Sequence, residues 1–208
     1  MNDKPVIILG NGGHASVLTE ILQLQNRKII GFTAPEQQVN LFNLLYLGND
    51  EVIEQYDKSE INLVLGLGTI QISTIRKLIF KQFKSLGYNF ASIIHPNVII
   101  SSTVNLAEGV QIMAGAIIQT HTKIADNTII NTGTIVEHDC IIGKHVHLAT
   151  GVTISGSVEI GDSCHIGTAS TIIQGISIGK NSLVGAGAVV ISNIGDGKKV
   201  IGVPAKEV

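Results

Sequence analysis

Between two apolar runs the chain reads TIVEHDCIIGKHVHLATG, Thr134 to Gly151, which places three histidines, two carboxylates and one cysteine in eighteen positions. An imidazole that titrates near neutrality is the usual general base, and a carboxylate beside it orients the ring and raises its basicity. Glu137, His138 and Asp139 supply both parts. Side chains alternate along an extended strand, so at most one flanking carboxylate reaches the ring unless a turn bends the chain. The same stretch raises a metal question, because His147 and His165 lie eighteen residues apart. Which chemistry is open depends on the elements that hold these residues.

Those elements follow from a repeat. From Ile94, every sixth residue to Val190 is Ile, Leu or Val, seventeen anchors without an insertion. Four residues after each anchor the chain is small or β-branched, and Gly143, Gly161, Gly167, Gly179 and Gly185 follow anchors directly. A period of six fits neither a 3.6-residue helix nor a hairpin meander; it fits short parallel strands that coil round a prism. The anchor fills the interior, the residue four later fits a corner, and the glycines are expected to relieve backbone strain where the chain turns. Three hexads close one coil, so eighteen residues return to the same face about 4.8 Å on. Seventeen hexads make between five and six coils. Within this register Val136, Cys140 and Cys164 point inward, and His138 is expected to point outward from a flat face. His147 and His165 are expected to stack on neighbouring coils.

The first ninety residues have another rhythm. VIILG at 6–10 reads as a buried strand, GNGGHA as a tight turn and SVLTEILQLQ as a helix with Val17, Leu18, Ile21, Leu22 and Leu24 available to a core. KIIGF and NLVLGLG at 62–68 read as further strands, and TIRKLIFKQFKSLG as a second helix. Strands alternating with helices predict a small parallel, Rossmann-like α/β unit. We place it at residues 1–93, with the β-helix and a C-terminal tail at 94–208. Gly10, Gly12 and Ala15 match the G-x-G-x-x-A turn that lets a backbone approach a pyrophosphate at a helix N-terminus. The same spacing also serves an unliganded strand-to-helix turn. The second strand ends in GFTAPE, with no acidic residue directly after it, which favours a nucleotide diphosphate over a redox dinucleotide.

The hexads from Ile94 to Val190 resemble the left-handed β-helix of hexapeptide-repeat acyltransferases. With the α/β unit before them and IGVPAKEV after, the whole chain resembles the bacterial NeuD-like and PglD-like sugar acetyltransferases. That resemblance implies acetyl-CoA as co-substrate, a nucleotide-linked amino sugar as acceptor and a homotrimer with active sites between subunits. It also implies His138 as general base, in the EH-acid-C motif Glu137 to Cys140, with Asp139 raising its basicity. Many relatives carry glutamate there, so the shorter aspartate predicts a weaker contact. His147, nine residues after the base, is implied as a coenzyme contact, with Thr168 and Gly185, Ala186 and Gly187 along the coenzyme groove and Lys206 near the adenosine phosphate. Gly12, Gly13 and His14, with Thr33, Ala34 and Gly68 at the ends of the second and third strands, are implied to hold the nucleotide sugar. Relatives often have paired aspartates at the positions of Thr33 and Ala34, and Glu36 is the nearby substitute. His145, His165, His121 and His95 read as surface or interface residues.

Composition excludes other classes. The 208 residues are 44% hydrophobic and 14% charged, with net charge −2 and no long Lys/Arg run, so neither disorder nor a polyanion partner is indicated. The apolar run at the N-terminus is too short for a signal peptide or a membrane span, and a cytoplasmic protein is expected. Cys140 and Cys164 lack zinc-ligand spacing, and no HxxxH accompanies the histidine pair. Acyl transfer from a thioester needs no Lewis acid where a base and hydrogen-bond donors are present, so no metal is expected. An O-acetyltransferase acting on sialic acid and a non-catalytic β-helix scaffold share this architecture and stand as alternatives.

Overall fold

A computed structural model describes residues 4–69 and 74–208; the first three residues of the N-terminal stretch read above lie outside it. The described residues fall into two compact units, one of residues 4–69 with 74–96 and the other Asn97–Val208.

In the first unit the elements run β1 (Val6–Leu9), α1 (Gly13–Leu24), β2 (Ile29–Thr33), β3 (Tyr46–Gly48), a 3-10 helix (Asp50–Gln55), β4 (Asn62–Leu65) and α2 (Ile75–Ser85). The sheet order is β3-β2-β1-β4, all parallel. The chain leaves β1 toward β2 and β3 and then crosses back to place β4 on the other side of β1, a reversal of strand order that opens a crevice at the carboxyl end of the sheet where such folds bind ligands. The three-residue β3 is an edge strand too short to show alternation in the sequence. Ile7, Leu9, Leu63 and Leu65 pack with Phe80, Phe83, Tyr88 and Phe90, and the rings of Phe80 and Phe90 stack 4.5 Å apart. On α1 the core stripe is Ala15, Leu18, Thr19, Ile21 and Leu22. Val17 and Leu24, expected in the core, are exposed because they lie off that stripe, about two turns apart on the opposite side.

The second unit is a parallel β-helix of two-residue strands. One six-stranded sheet carries Ile117–Ile118, Ile135–Val136, Thr153–Ile154 and Thr171–Ile172 among its strands. A second, five-stranded, carries Lys123–Ile124, Ile141–Ile142, Glu159–Ile160 and Ser177–Ile178. A third carries Gln111–Ile112, Ile129–Ile130, His147–Leu148, His165–Ile166 and Leu183–Val184. Up to Val189–Val190, successive strands of a sheet pair eighteen residues apart, as Val136 with Ile154 and Ile142 with Ile160, which is the expected three hexads per coil. Lys199–Ile201 extends the third sheet beside Leu183, and Lys206–Glu207 returns antiparallel against it.

The interior is filled by the anchors from Ile112 to Val190. At the corners the buried residues four after each anchor include hydroxyls and thiols with a common use. Thr122, Thr128 and Thr134 donate to the carbonyls of Glu137, Gly143 and Ala149 at 3.0, 2.8 and 3.0 Å. Cys140 and Cys164 donate in the same way to Ser155 and Gly179 at 3.3 and 2.9 Å. The glycines after the anchors do not serve the turns. They lie where the next coil passes: a Cβ on Gly143 would stand 2.8 Å from the Asp162 nitrogen, and one on Gly167 2.6 Å from that of Ala186. The left-handed turn position is instead the third residue after the anchor, filled by Asp139, His145, Ser157, Ser163, Ala169 and Asn181 as well as by glycines.

Candidate active site

The two-residue strands leave His138 and Asp139 in the turn between Ile135–Val136 of the first sheet and Ile141–Ile142 of the second. His138 is therefore on a corner of the prism, not on the flat face expected, because each face has room for only two strand residues. Asp139 has φ 58°, a conformation that aspartate tolerates better than most side chains, and its nitrogen donates to Thr120 O at 3.0 Å. The turn brings the Asp139 carboxylate back to the ring, and His138 Nδ1–H donates to Asp139 Oδ2 at 2.8 Å. The shorter acid thus makes a full-length contact, since the left-handed turn supplies the reach that its side chain lacks. With Nδ1 protonated in this pair, Nε2 keeps the lone pair that a general base needs. The side chains of His138 and Asp139 are 46% and 53% exposed, so the ring is open to an incoming nucleophile.

The third sheet holds the other imidazoles. His147 and His165 are register partners, their ring centroids 5.0 Å apart and edge to face. Both are buried, at 8% and 7% exposure, as are Gln111 and Ile129 in the same column. His165, read from the sequence as a surface or interface residue, is thus buried within the single chain. The equivalent column of the second sheet, Lys123, Ile141, Glu159 and Ser177, is exposed. His147 Nε2 lies 3.3 Å from Asn131 Nδ2. Burial lowers the pKa of His165, and its Nδ1 has no hydrogen-bond partner. His145 is a turn residue whose Nδ1 lies 3.0 Å from Asn127 Nδ2, one coil back. Among the described residues no three His, Cys, Asp or Glu side chains gather as a metal would require. Burial raises the pKa of Cys140 and pushes that of Cys164 up to about 11, so both thiols stay protonated and serve the corners.

Thr168, Ala186 and Gly187 are exposed on the corner where the third sheet turns to the first, on adjacent coils, with Gly187 N donating to Thr168 O at 2.8 Å. Gly185 N donates to Val200 O at 2.8 Å, in the C-terminal extension of that sheet. Lys206 lines a cavity of about 240 Å³ with Val190, Ile194, Lys198 and Ala205. The residues attributed to the coenzyme therefore share one sheet and its outgoing corner, whereas His138 lies on the corner opposite that sheet.

In the first unit the glycine turn is built by close approach. Gly10 has φ 105°, and a Cβ on Gly66 would stand 2.8 Å from the Ala15 Cβ, so strand and helix meet where only glycine and alanine fit. Gly12 caps α1 without a side-chain bond, and both Gly12 and Gly13 are exposed. His14 sits within α1, beside Gly68, where an added Cβ would be 3.1 Å from its Cβ; the structure brings these four residues together. Thr33 and Ala34 are buried and committed. Thr33 Oγ1 donates to Asp50 Oδ1 at 2.5 Å, and Ala34 N donates to Gly48 O at 3.1 Å. The acid at the end of β2 is thus Asp50, delivered by the 3-10 helix beside β3; Glu36 is exposed in the loop. Sequence spacing gave no sign of Asp50, which reaches Thr33 only once β3 has docked.

Known proteins match both halves of this arrangement. Residues 5–83 match the PglD N-terminal domain, 121–156 the bacterial transferase hexapeptide and 157–192 the hexapeptide repeat of succinyl-transferase. PerB from Caulobacter crescentus, solved with CoA and GDP-perosamine, is 32% identical over 98% of this chain and 97% of its own, with a TM-score of 0.91. The acetyltransferase domain of PglB from Neisseria gonorrhoeae is 28% identical over 99% of this chain and 100% of its own, with a TM-score of 0.92, and has also been solved with acetyl coenzyme A. No curated protein matches the sequence. The fold is a small α/β domain followed by a left-handed parallel β-helix. The chain belongs to the hexapeptide-repeat sugar acetyltransferases that carry a PglD N-terminal domain.

Proposed function

We propose that this protein transfers the acetyl group of acetyl-CoA to the amine of a nucleotide-linked 4-amino-4,6-dideoxy sugar, a step in making surface polysaccharide or glycan. The observation that carries this reading is the full-length match, both domains together, to a protein solved with CoA and GDP-perosamine. We place the reaction in the cytoplasm, where acetyl-CoA is available. The assembly is a homotrimer. No insertion interrupts the hexads, and the His138 corner and the His147 sheet lie on opposite sides of one prism, so a site that uses both needs two copies.

In the reaction the sugar amine attacks the thioester carbonyl of acetyl-CoA. The new C–N bond forms as the carbonyl π electrons move to oxygen, which a backbone N–H stabilises. His138 Nε2 takes the proton that the nitrogen must lose, and Asp139 stabilises the resulting imidazolium through Nδ1. Collapse of the intermediate breaks the C–S bond and releases CoA, whose sulfur takes up a proton. His147, Thr168, Gly185, Ala186, Gly187 and Lys206 hold the coenzyme, while Gly12, Gly13, His14 and Gly68 hold the nucleotide sugar beside Thr33 and Ala34. Incubation with acetyl-CoA and a panel of GDP-, UDP- and dTDP-linked 4-amino sugars should give a product heavier by one acetyl group for at least one acceptor. Acetylation of sialic acid and none of the panel would overturn the assignment.

A further inference from the structure

We propose that Gly156 is a positioning residue for His138, and that its lack of a side chain fixes the direction of the imidazole. Residue 156 lies eighteen after His138, in the same turn position one coil on, where Val136 pairs with Ile154. A Cβ there would stand 2.6 Å from both Cε1 and Nε2 of His138 and 3.1 Å from Nδ1, so the ring lies flat across the Gly156 backbone. Gly156 is buried, although turn positions of this register are open elsewhere. Nothing in the backbone requires glycine, because its φ is outside the left-handed region. The other residues in this column, Ser102, Thr120 and Gln174, all carry side chains. Glycine occurs once in the column, on the coil against which the histidine packs.

The ring is confined from two directions. Asp139 holds Nδ1 at 2.8 Å, and its own backbone is fixed by a left-handed φ and a bond to Thr120. Gly156 supports the ring face. A methyl group at 156 therefore cannot be accommodated with the ring in place; the imidazole must rotate, lose the Asp139 contact and point Nε2 away from the position of the amine. Small misplacements of a catalytic group cost rate far more than they cost binding. This inference rests on His138 being the base.

The test compares Gly156→Ala, His138→Ala and the double variant by steady-state kinetics, with circular dichroism and thermal melting to establish folding. Gly156→Ala should lower kcat by about tenfold or more, with KM for both substrates within about twofold of the parent. In the His138→Ala background the same change should cost nothing further, since there is no ring left to displace. Gln174→Ala, the same turn position one coil further on, should leave kcat unchanged. A Gly156→Ala kcat within twofold of the parent overturns the proposal, as does an equal loss in both backgrounds, which would mark a merely structural role. Normal turnover in His138→Ala would instead overturn the base assignment itself.

Discussion

The corner at His138 and the face at His147 hold imidazoles in the same β-helix, nine residues apart, yet they differ in almost every physical respect. At the corner a two-residue turn exposes the ring, ties Nδ1 to a carboxylate and leaves Nε2 open. On the face the ring of His147 is buried and packs edge to face on His165, whose own pKa burial lowers. The repeat treats all hexads alike, so its anchors make the prism but the residues between them make the chemistry. Reactivity arises where the chain turns, because only there can sequence neighbours fold back on one another.

The largest expected effect is at the corner. His138→Ala should reduce kcat by about 10² or more while leaving the assembly intact, as is usual for loss of a general base; rate assays with size-exclusion chromatography check this. Asp139→Asn keeps a side chain that tolerates the left-handed turn but removes the charge, and kcat should fall by about tenfold. On the face, His147→Ala should act chiefly on KM for acetyl-CoA, by several-fold, with a smaller change in kcat. His165 should show itself in stability. Its folded-state pKa lies below that of the unfolded chain, so its contribution is complete above about pH 6.5 and is lost as pH falls through the lowered value. Melting temperature followed from pH 7.5 to 5 should fall less steeply in His165→Gln. The smallest effect belongs to Cys164→Ser, which keeps a donor for the Gly179 carbonyl; kcat should stay within about twofold, since a thiol with pKa about 11 does no chemistry near neutrality.

How much of this was legible in the sequence differs between the two regions. The prism was fully legible, because one position in six must be aliphatic and no insertion blurs the count. The corner was only half legible. Glu137 and Asp139 flank His138 equally in sequence, and the choice between them is made by a left-handed turn residue. That signature is diffuse because Asp, His, Ser, Ala and Asn share the position with glycine. Burial of His147 and His165 was illegible, since alternation marks them as outward as surely as it does Lys123 or Glu159. In the α/β unit the glycine turn announced itself, whereas Asp50 depended on docking a three-residue edge strand. Gly156 was readable in principle, as the one glycine eighteen residues from a histidine in the corner register.

The central claim is that the His138 corner of one copy works with the His147 face of another. Subunit mixing tests it directly: His138→Ala and His147→Ala chains are unfolded, combined in equal amounts and refolded, and turnover is measured at limiting acetyl-CoA. A site shared between copies predicts that about a quarter of sites regain both histidines, so the mixture exceeds the mean of the two pure variants. A mixture no more active than that mean would place both histidines in the same copy's site and contradict the account.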